Sequence, residues 1–209
     1  MKNIFCYGDS ITWGFDPVTW SRYDYKDRWT SVLQEKLGPG FYITVNALQG
    51  RTTAWEHPFL PFRNGREPLM MLLESNAPID LVIIMLGTND IISMLNKSAE
   101  ESASGMLSLI RIIYQSLSGP DGRIPKVMII SPPVIGNLSG FMSLYYNKRK
   151  DESKKLAQYH KTFSEQFDCN FIDSNEFIRT CEPDGLHISR ESQRILGIKV
   201  AEEVRKIFP

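Results

Sequence analysis

Apolar residues recur along the chain in two alternating patterns. Short, largely apolar runs occupy residues 4–7, 41–45, 81–86, 127–130 and 171–172, and each predicts a β-strand. The run Leu81-Val82-Ile83-Ile84-Met85-Leu86 is apolar throughout, as a central parallel strand covered on both faces requires. Between the runs lie stripes at helical spacing. Trp29, Val32, Leu33 and Leu37 form the first. Leu69, Leu72 and Leu73 form the second, with Pro68 suited to a first helical position. Met106, Leu109, Ile110, Ile113 and Leu117 follow a capping-box pattern at Ser98 and Glu101. Leu156, Tyr159, Phe163 and Phe167 make a fourth stripe. Leu196, Val200, Val204 and Phe208 make the last, with Ser189 as N-cap.

Strands alternating with helices imply right-handed crossovers. The expected architecture is α/β, a three-layer sandwich around a five-stranded, doubly wound parallel sheet. No internal repeat, low-complexity tract or linker interrupts the pattern. Residues 1–209 are therefore expected to form a single domain around one sizeable core. Three loops, 13–29, 52–67 and 132–151, are long or rich in aromatic residues, and loops of that kind are often functional.

Charge narrows the classes of partner. The 24 basic residues balance 24 acidic ones, so no whole-protein field favours nucleic acid or an anionic membrane. Lys148-Arg149-Lys150 is followed at once by Asp151-Glu152 and reads as a solvated helix start. No apolar run approaches the roughly 20 residues that span a bilayer. The start Met1-Lys2-Asn3 lacks the long apolar stretch of a secretory leader. Cys6, Cys169 and Cys181 are odd in number and widely spaced, which argues against a disulfide framework or zinc site and for a reducing cytoplasm.

Ligands of open parallel sheets bind beyond the carboxyl ends of the strands. Gly8-Asp9-Ser10 follows the first expected strand and Asn46-Ala47-Leu48-Gln49-Gly50 the second. Gly87-Thr88-Asn89-Asp90 follows the third, Ser131-Pro132-Pro133 the fourth, and Asp184-Gly185-Leu186-His187 lies beyond the fifth. These residue types meet the needs of acyl transfer. A serine hydroxyl becomes a nucleophile once a base takes its proton, and His187 can serve Ser10 in that way. A tight turn at Gly185 can bring Asp184 to the imidazole and fix its tautomer. The amides of Ser10 and Gly50 and the side-chain NH2 of Asn89 can supply oxyanion donors. Each piece alone also fits a turn or a helix cap. Their arrival together, each at a strand end, is what the chemistry explains.

Other residues are expected to do less. Asp9 suits a backbone bond at the turn. Arg51 is either the anchor of a salt bridge or a substrate contact. Asp9, Trp13, Arg51 and Trp55 are the candidate substrate contacts. Trp13, Trp20, Tyr23, Trp55, Phe59 and Phe62 make either an aromatic mouth or a packing surface against a partner subunit or the core. His160 is expected to be structural, His57 a surface residue, and Cys6 a buried small hydrophobe. The histidines lack metal-ligand spacing, and the glycines show no Walker or dinucleotide fingerprint.

On these residues the chain resembles the SGNH, or GDSL-type, hydrolase superfamily. Ser10, Gly50, Asn89 and His187 match its four named residues, and Asp184 matches the third triad member. Gly8 to Gly14 (GDSITWG), Gly50-Arg51-Thr52-Thr53 and the segment 81–90 look like its arylesterase and acyltransferase branch. The resemblance implies a flavodoxin-like sandwich, no metal and no cofactor. It implies a small-molecule ester substrate, hydrolysis of short acyl esters, and sometimes acyl transfer to alcohols or peroxide. Some members of that branch form large homo-oligomers whose loops build the pocket entrance. Rival readings are a deacetylase of sugar esters, a thioesterase or lysophospholipase, and a binding protein without turnover.

Overall fold

The computed structural model describes residues 1–209 and resolves these patterns into seven strands and seven α-helices. In chain order they are β1 (Lys2–Gly8), α1 (Ser10–Trp13), β2 (Phe15–Asp16), β3 (Ser21–Arg22), α2 (Trp29–Leu37), β4 (Phe41–Ala47) and α3 (Arg66–Ser75). Then come β5 (Leu81–Met85), α4 (Ala99–Ser116), β6 (Lys126–Ser131), α5 (Gly140–Tyr145), α6 (Lys150–Gln166), β7 (Asn170–Asp173) and α7 (Arg190–Ile207).

Five of the strands form one sheet in the order β4-β1-β5-β6-β7, and every neighbouring pair is parallel. The chain starts in the interior at β1, steps outward to β4, and then reverses past β1 to β5. The reversal opens a crevice above the carboxyl ends of β1 and β5, the place where doubly wound sheets bind ligands.

The pleat sends alternate side chains to opposite faces. Ile4 and Cys6 of β1 join Trp29, Leu33, Leu196 and Val200, so α2 and α7 cover one face. Phe5 and Tyr7 join Leu69, Leu73, Met106 and Leu109, so α3 and α4 cover the other, with α6 packed beside α4. This two-sided burial explains why β5 has no polar position. Removing one such side chain, as in Leu33→Ala, costs roughly 2–5 kcal/mol. A third cluster gathers Ile91, Ile92, Ile135, Tyr146, Leu156 and Leu186, drawn mainly from segments that follow β5, β6 and β7.

The helix ends follow the expected chemistry with one correction. The capping box at Ser98 and Glu101 is formed in both directions, and the Ser189 side chain accepts from the Ser192 amide. Helix α3 begins at Arg66, so Pro68 is its third residue and not its first. Proline is tolerated there because first-turn amides need no intrahelical acceptor. The long loops also hold structure: the antiparallel pair β2–β3 lies in 13–29, and α5 in 132–151. No helix is long and apolar enough to cross a membrane, and all three cysteines are free.

Candidate active site

Strand β1 delivers its last residue, Gly8, to the crevice, and the chain turns sharply into the single-turn helix α1. Asp9 caps that turn by accepting the Ile11 amide at 3.0 Å. Gln193 of α7 holds it from below: its Nε2 donates to the Ile11 carbonyl at 2.9 Å while its Oε1 accepts the Trp29 amide at 2.9 Å. Ser10 is thereby fixed at the mouth of the sheet, 9% exposed.

A hydrogen-bonded chain runs from this serine. Ser10 Oγ lies 2.9 Å from His187 Nε2, and His187 Nδ1 lies 2.6 Å from Asp184 Oδ2. The other carboxylate oxygen, Asp184 Oδ1, accepts the Leu186 and His187 amides at 2.8 and 2.9 Å. Burial works to raise the Asp184 carboxyl, but the imidazole bond and these amides outweigh it and hold the group below its ordinary value. Asp184 therefore stays an acceptor. In the Nδ1–H tautomer, which a carboxylate acceptor favours, Nε2 faces Ser10 Oγ as an acceptor. The turn needs glycine at 185, where φ is +70° and a Cβ would lie 2.2 Å from the Asn137 carbonyl oxygen. The ring of Phe15 packs against His187 with centroids 4.3 Å apart.

The main-chain amides of Ser10 and Gly50 have no acceptor within the protein. Gly50 adopts φ +74°, a left-handed conformation that glycine takes without strain. Asn89 Nδ2 donates to the Arg51 carbonyl at 3.0 Å and makes only a long 3.4 Å contact with Asp9 Oδ2. Its Oδ1 accepts the Tyr146 hydroxyl at 3.0 Å. Asp9 and Asp90 are both buried here. Burial pushes Asp9 up to about 6 and Asp90 up to about 7 against the pull of their hydrogen bonds.

The remaining candidates divide. Arg51 forms no salt bridge, which corrects that alternative. Its guanidinium lies 4.1 Å over the Tyr7 ring and donates to the Gly8 carbonyl and to the Asn46 carbonyl and side-chain oxygens. A planar five-donor group suits several neutral oxygens as well as one carboxylate. Trp13 stacks under Arg22 and Trp55 under Lys97. His57 is buried and not on the surface: its Nδ1 accepts the Phe59 and Leu60 amides, and its ring neighbours Phe59 and Tyr145. His160 is fully buried against Gly87, and burial pushes its pKa down to about 4. No group of three or more His, Cys, Asp or Glu side chains is set to hold a metal ion.

Sequence reasoning missed Phe15, Tyr146 and Gln193. Gln193 is polar but falls three residues before Leu196, on the last apolar stripe, and that spacing is the signal of its burial. Phe15 and Tyr146 lie inside loops, where no period marks the side chains that turn inward.

A parallel five-stranded sheet in this order, flanked by helices, is the fold of the SGNH hydrolases. The chain matches the model of the GDSL-like lipase/acylhydrolase family over residues 6–195 and belongs to that family. Several solved structures resemble it along its whole length. Est24, a carbohydrate acetylesterase from Sinorhizobium meliloti, is 34% identical, with a TM-score of 0.95 and all of both chains covered. The M. smegmatis aryl esterase is 33% identical, with a TM-score of 0.94 and 99% of each chain covered. A G-D-S-L family protein from Veillonella parvula shares the fold at 16% identity and a TM-score of 0.67. No curated protein matches the chain. Family and full-length neighbours together make it a carboxylic ester hydrolase.

Proposed function

We propose that the protein is a serine esterase that hydrolyses short-chain acyl esters of aryl or alkyl alcohols through an acyl-enzyme. The observation that carries this reading is the unbroken Ser10–His187–Asp184 chain, at 2.9 and 2.6 Å. Ser10 Oγ attacks the ester carbonyl carbon as its proton passes to His187 Nε2. The imidazolium that forms is stabilised by Asp184. The carbonyl oxygen, now negative, is held by the Ser10 and Gly50 amides and Asn89 Nδ2. His187 returns the proton to the alkoxide, and the alcohol leaves. Water, deprotonated by the same nitrogen, then attacks the acyl-enzyme and releases the acid. An alcohol in place of water completes acyl transfer.

Asp9, Trp13, Arg51 and Trp55 are the proposed substrate contacts. Hydrolysis of p-nitrophenyl esters from acetate to octanoate, by wild type and Ser10→Ala, tests the reading. A wild-type rate falling with chain length and lost in Ser10→Ala supports it. Equal slow rates in both proteins reject it. A second reading, deacetylation of sugar esters, is favoured by the similarity to Est24. Rates on an acetylated xylose against phenyl acetate separate the two. Assembly into a homo-oligomer fits the exposed Phe59, Phe62, Phe141 and Leu144 of the two long loops, and sizing at several concentrations tests it. A cytoplasmic setting fits three cysteines that stand unbonded.

A further inference from the structure

We infer that Tyr146, through its hydroxyl bond to Asn89 Oδ1, is a positioning residue that aims the Asn89 amide at the oxyanion. The inference rests on the proposal that Asn89 is an oxyanion donor. Tyr146 follows α5 in the third long loop, is 2% exposed and packs with Ile92, Ile135 and Leu186. Its hydroxyl reaches Asn89 Oδ1 at 3.0 Å across 57 residues of sequence.

A carboxamide can sit in two orientations that differ only by exchange of O and NH2. Around Asn89 the choice is decided by what faces each end. The Nδ2 end faces the Arg51 carbonyl at 3.0 Å and Asp9 Oδ2 at 3.4 Å. A carbonyl cannot donate, and neither can an ionised carboxylate, so a flipped amide would set oxygen against oxygen. The Oδ1 end has one hydrogen-bond donor, the Tyr146 hydroxyl. Burial and the surrounding carboxylates keep that phenol protonated, so it always has a hydrogen to give. With Oδ1 tied to Tyr146 and one N–H tied to Arg51, the amide plane is held at both ends. The second N–H has only the long Asp9 contact, and it is the one left to meet a developing charge. A hydrogen bond to the amide oxygen also polarises the amide and makes its N–H groups better donors.

Loss of this hydroxyl should therefore weaken a bond formed in the transition state more than substrate binding. Tyr146→Phe removes one oxygen and keeps the packed ring. The test compares kcat and KM on p-nitrophenyl acetate for wild type, Tyr146→Phe, Asn89→Ala and the double variant, with thermal midpoints to show that each is folded. Tyr146→Phe is expected to lower kcat about tenfold with KM within about twofold. In the Asn89→Ala background the same substitution is expected to change kcat less than about twofold, because the group it positions is gone. An undiminished kcat in Tyr146→Phe, beside a large loss in Asn89→Ala, overturns the role of Tyr146 alone. An equal loss from Tyr146→Phe in both backgrounds overturns it as well, because it marks a general packing role. A wild-type rate in Asn89→Ala overturns the donor reading beneath it.

Discussion

Asp90 is a carboxyl with no cation in contact, and its replacement by asparagine should change how stability depends on pH. Its oxygens accept the Thr53 amide at 2.8 Å, the Thr53 hydroxyl at 2.7 Å and the Ser102 hydroxyl at 2.6 Å. Burial is the largest influence and outweighs these bonds, and the nearby Asp9 charge adds to it, so the group sits at about 7. The folded protein holds this proton to about pH 7, whereas the unfolded chain releases it near pH 4. The native state binds more protons in that window, so stability falls as pH rises through it and is level above. A displacement of about three pH units corresponds to roughly 4 kcal/mol, of which about 3 kcal/mol is lost between pH 5 and pH 8. In Asp90→Asn the side-chain oxygen can keep the Thr53 amide while the NH2 donates to the two hydroxyls, which rotate to accept. The variant has no proton to lose there. Urea unfolding of both proteins at pH 5, 6, 7 and 8 measures the effect. The variant should gain on wild type by roughly 3 kcal/mol from pH 5 to pH 8. A difference constant to within about 0.5 kcal/mol across that range would refute the reasoning.

Two further substitutions probe the Asp184 turn. Asp184→Asn should lower kcat by about 10³–10⁴-fold while the fold survives. The Leu186 and His187 amides claim the new carboxamide oxygen, so its NH2 faces His187 Nδ1 and forces the proton onto Nε2, where it blocks the serine; steady-state kinetics with circular dichroism check this. Gly185→Ala should lower both activity and the thermal midpoint, because it combines a left-handed φ of +70° with a Cβ placed 2.2 Å from the Asn137 oxygen. A wild-type midpoint and rate in that variant would show that the turn is not held as described.

The sheet was legible because burial on both faces leaves a strong mark on composition. Leu81 to Met85 carries no polar residue, and β1 reads apolar from Ile4 to Tyr7. Helices with one packed stripe, such as α4 and α7, were legible down to their Ser98 and Ser189 caps. Strand ends and the crevice rule singled out Ser10, Asp184 and His187, which hydrogen bonds join in the folded chain. The misses share a cause. The pair β2–β3 and helix α5 are too short for any periodicity, and tertiary contacts decide them, as when Phe15 lies on the His187 ring. The salt bridge, one of two readings of Arg51, does not form, because the side chain binds the Gly8 and Asn46 oxygens, which come together only once β1 and β4 pair. Likewise nothing near Tyr146 in sequence indicates that its hydroxyl ends on Asn89.

The most direct test of the account is covalent labelling of the proposed nucleophile. The protein is treated with a serine-directed fluorophosphonate, digested, and its peptides mapped by mass. The account predicts one phosphonyl adduct, on Ser10, formed as esterase activity disappears, with no adduct in Ser10→Ala. Loss of activity with the adduct on another residue, or full activity in a protein labelled at Ser10, would contradict it.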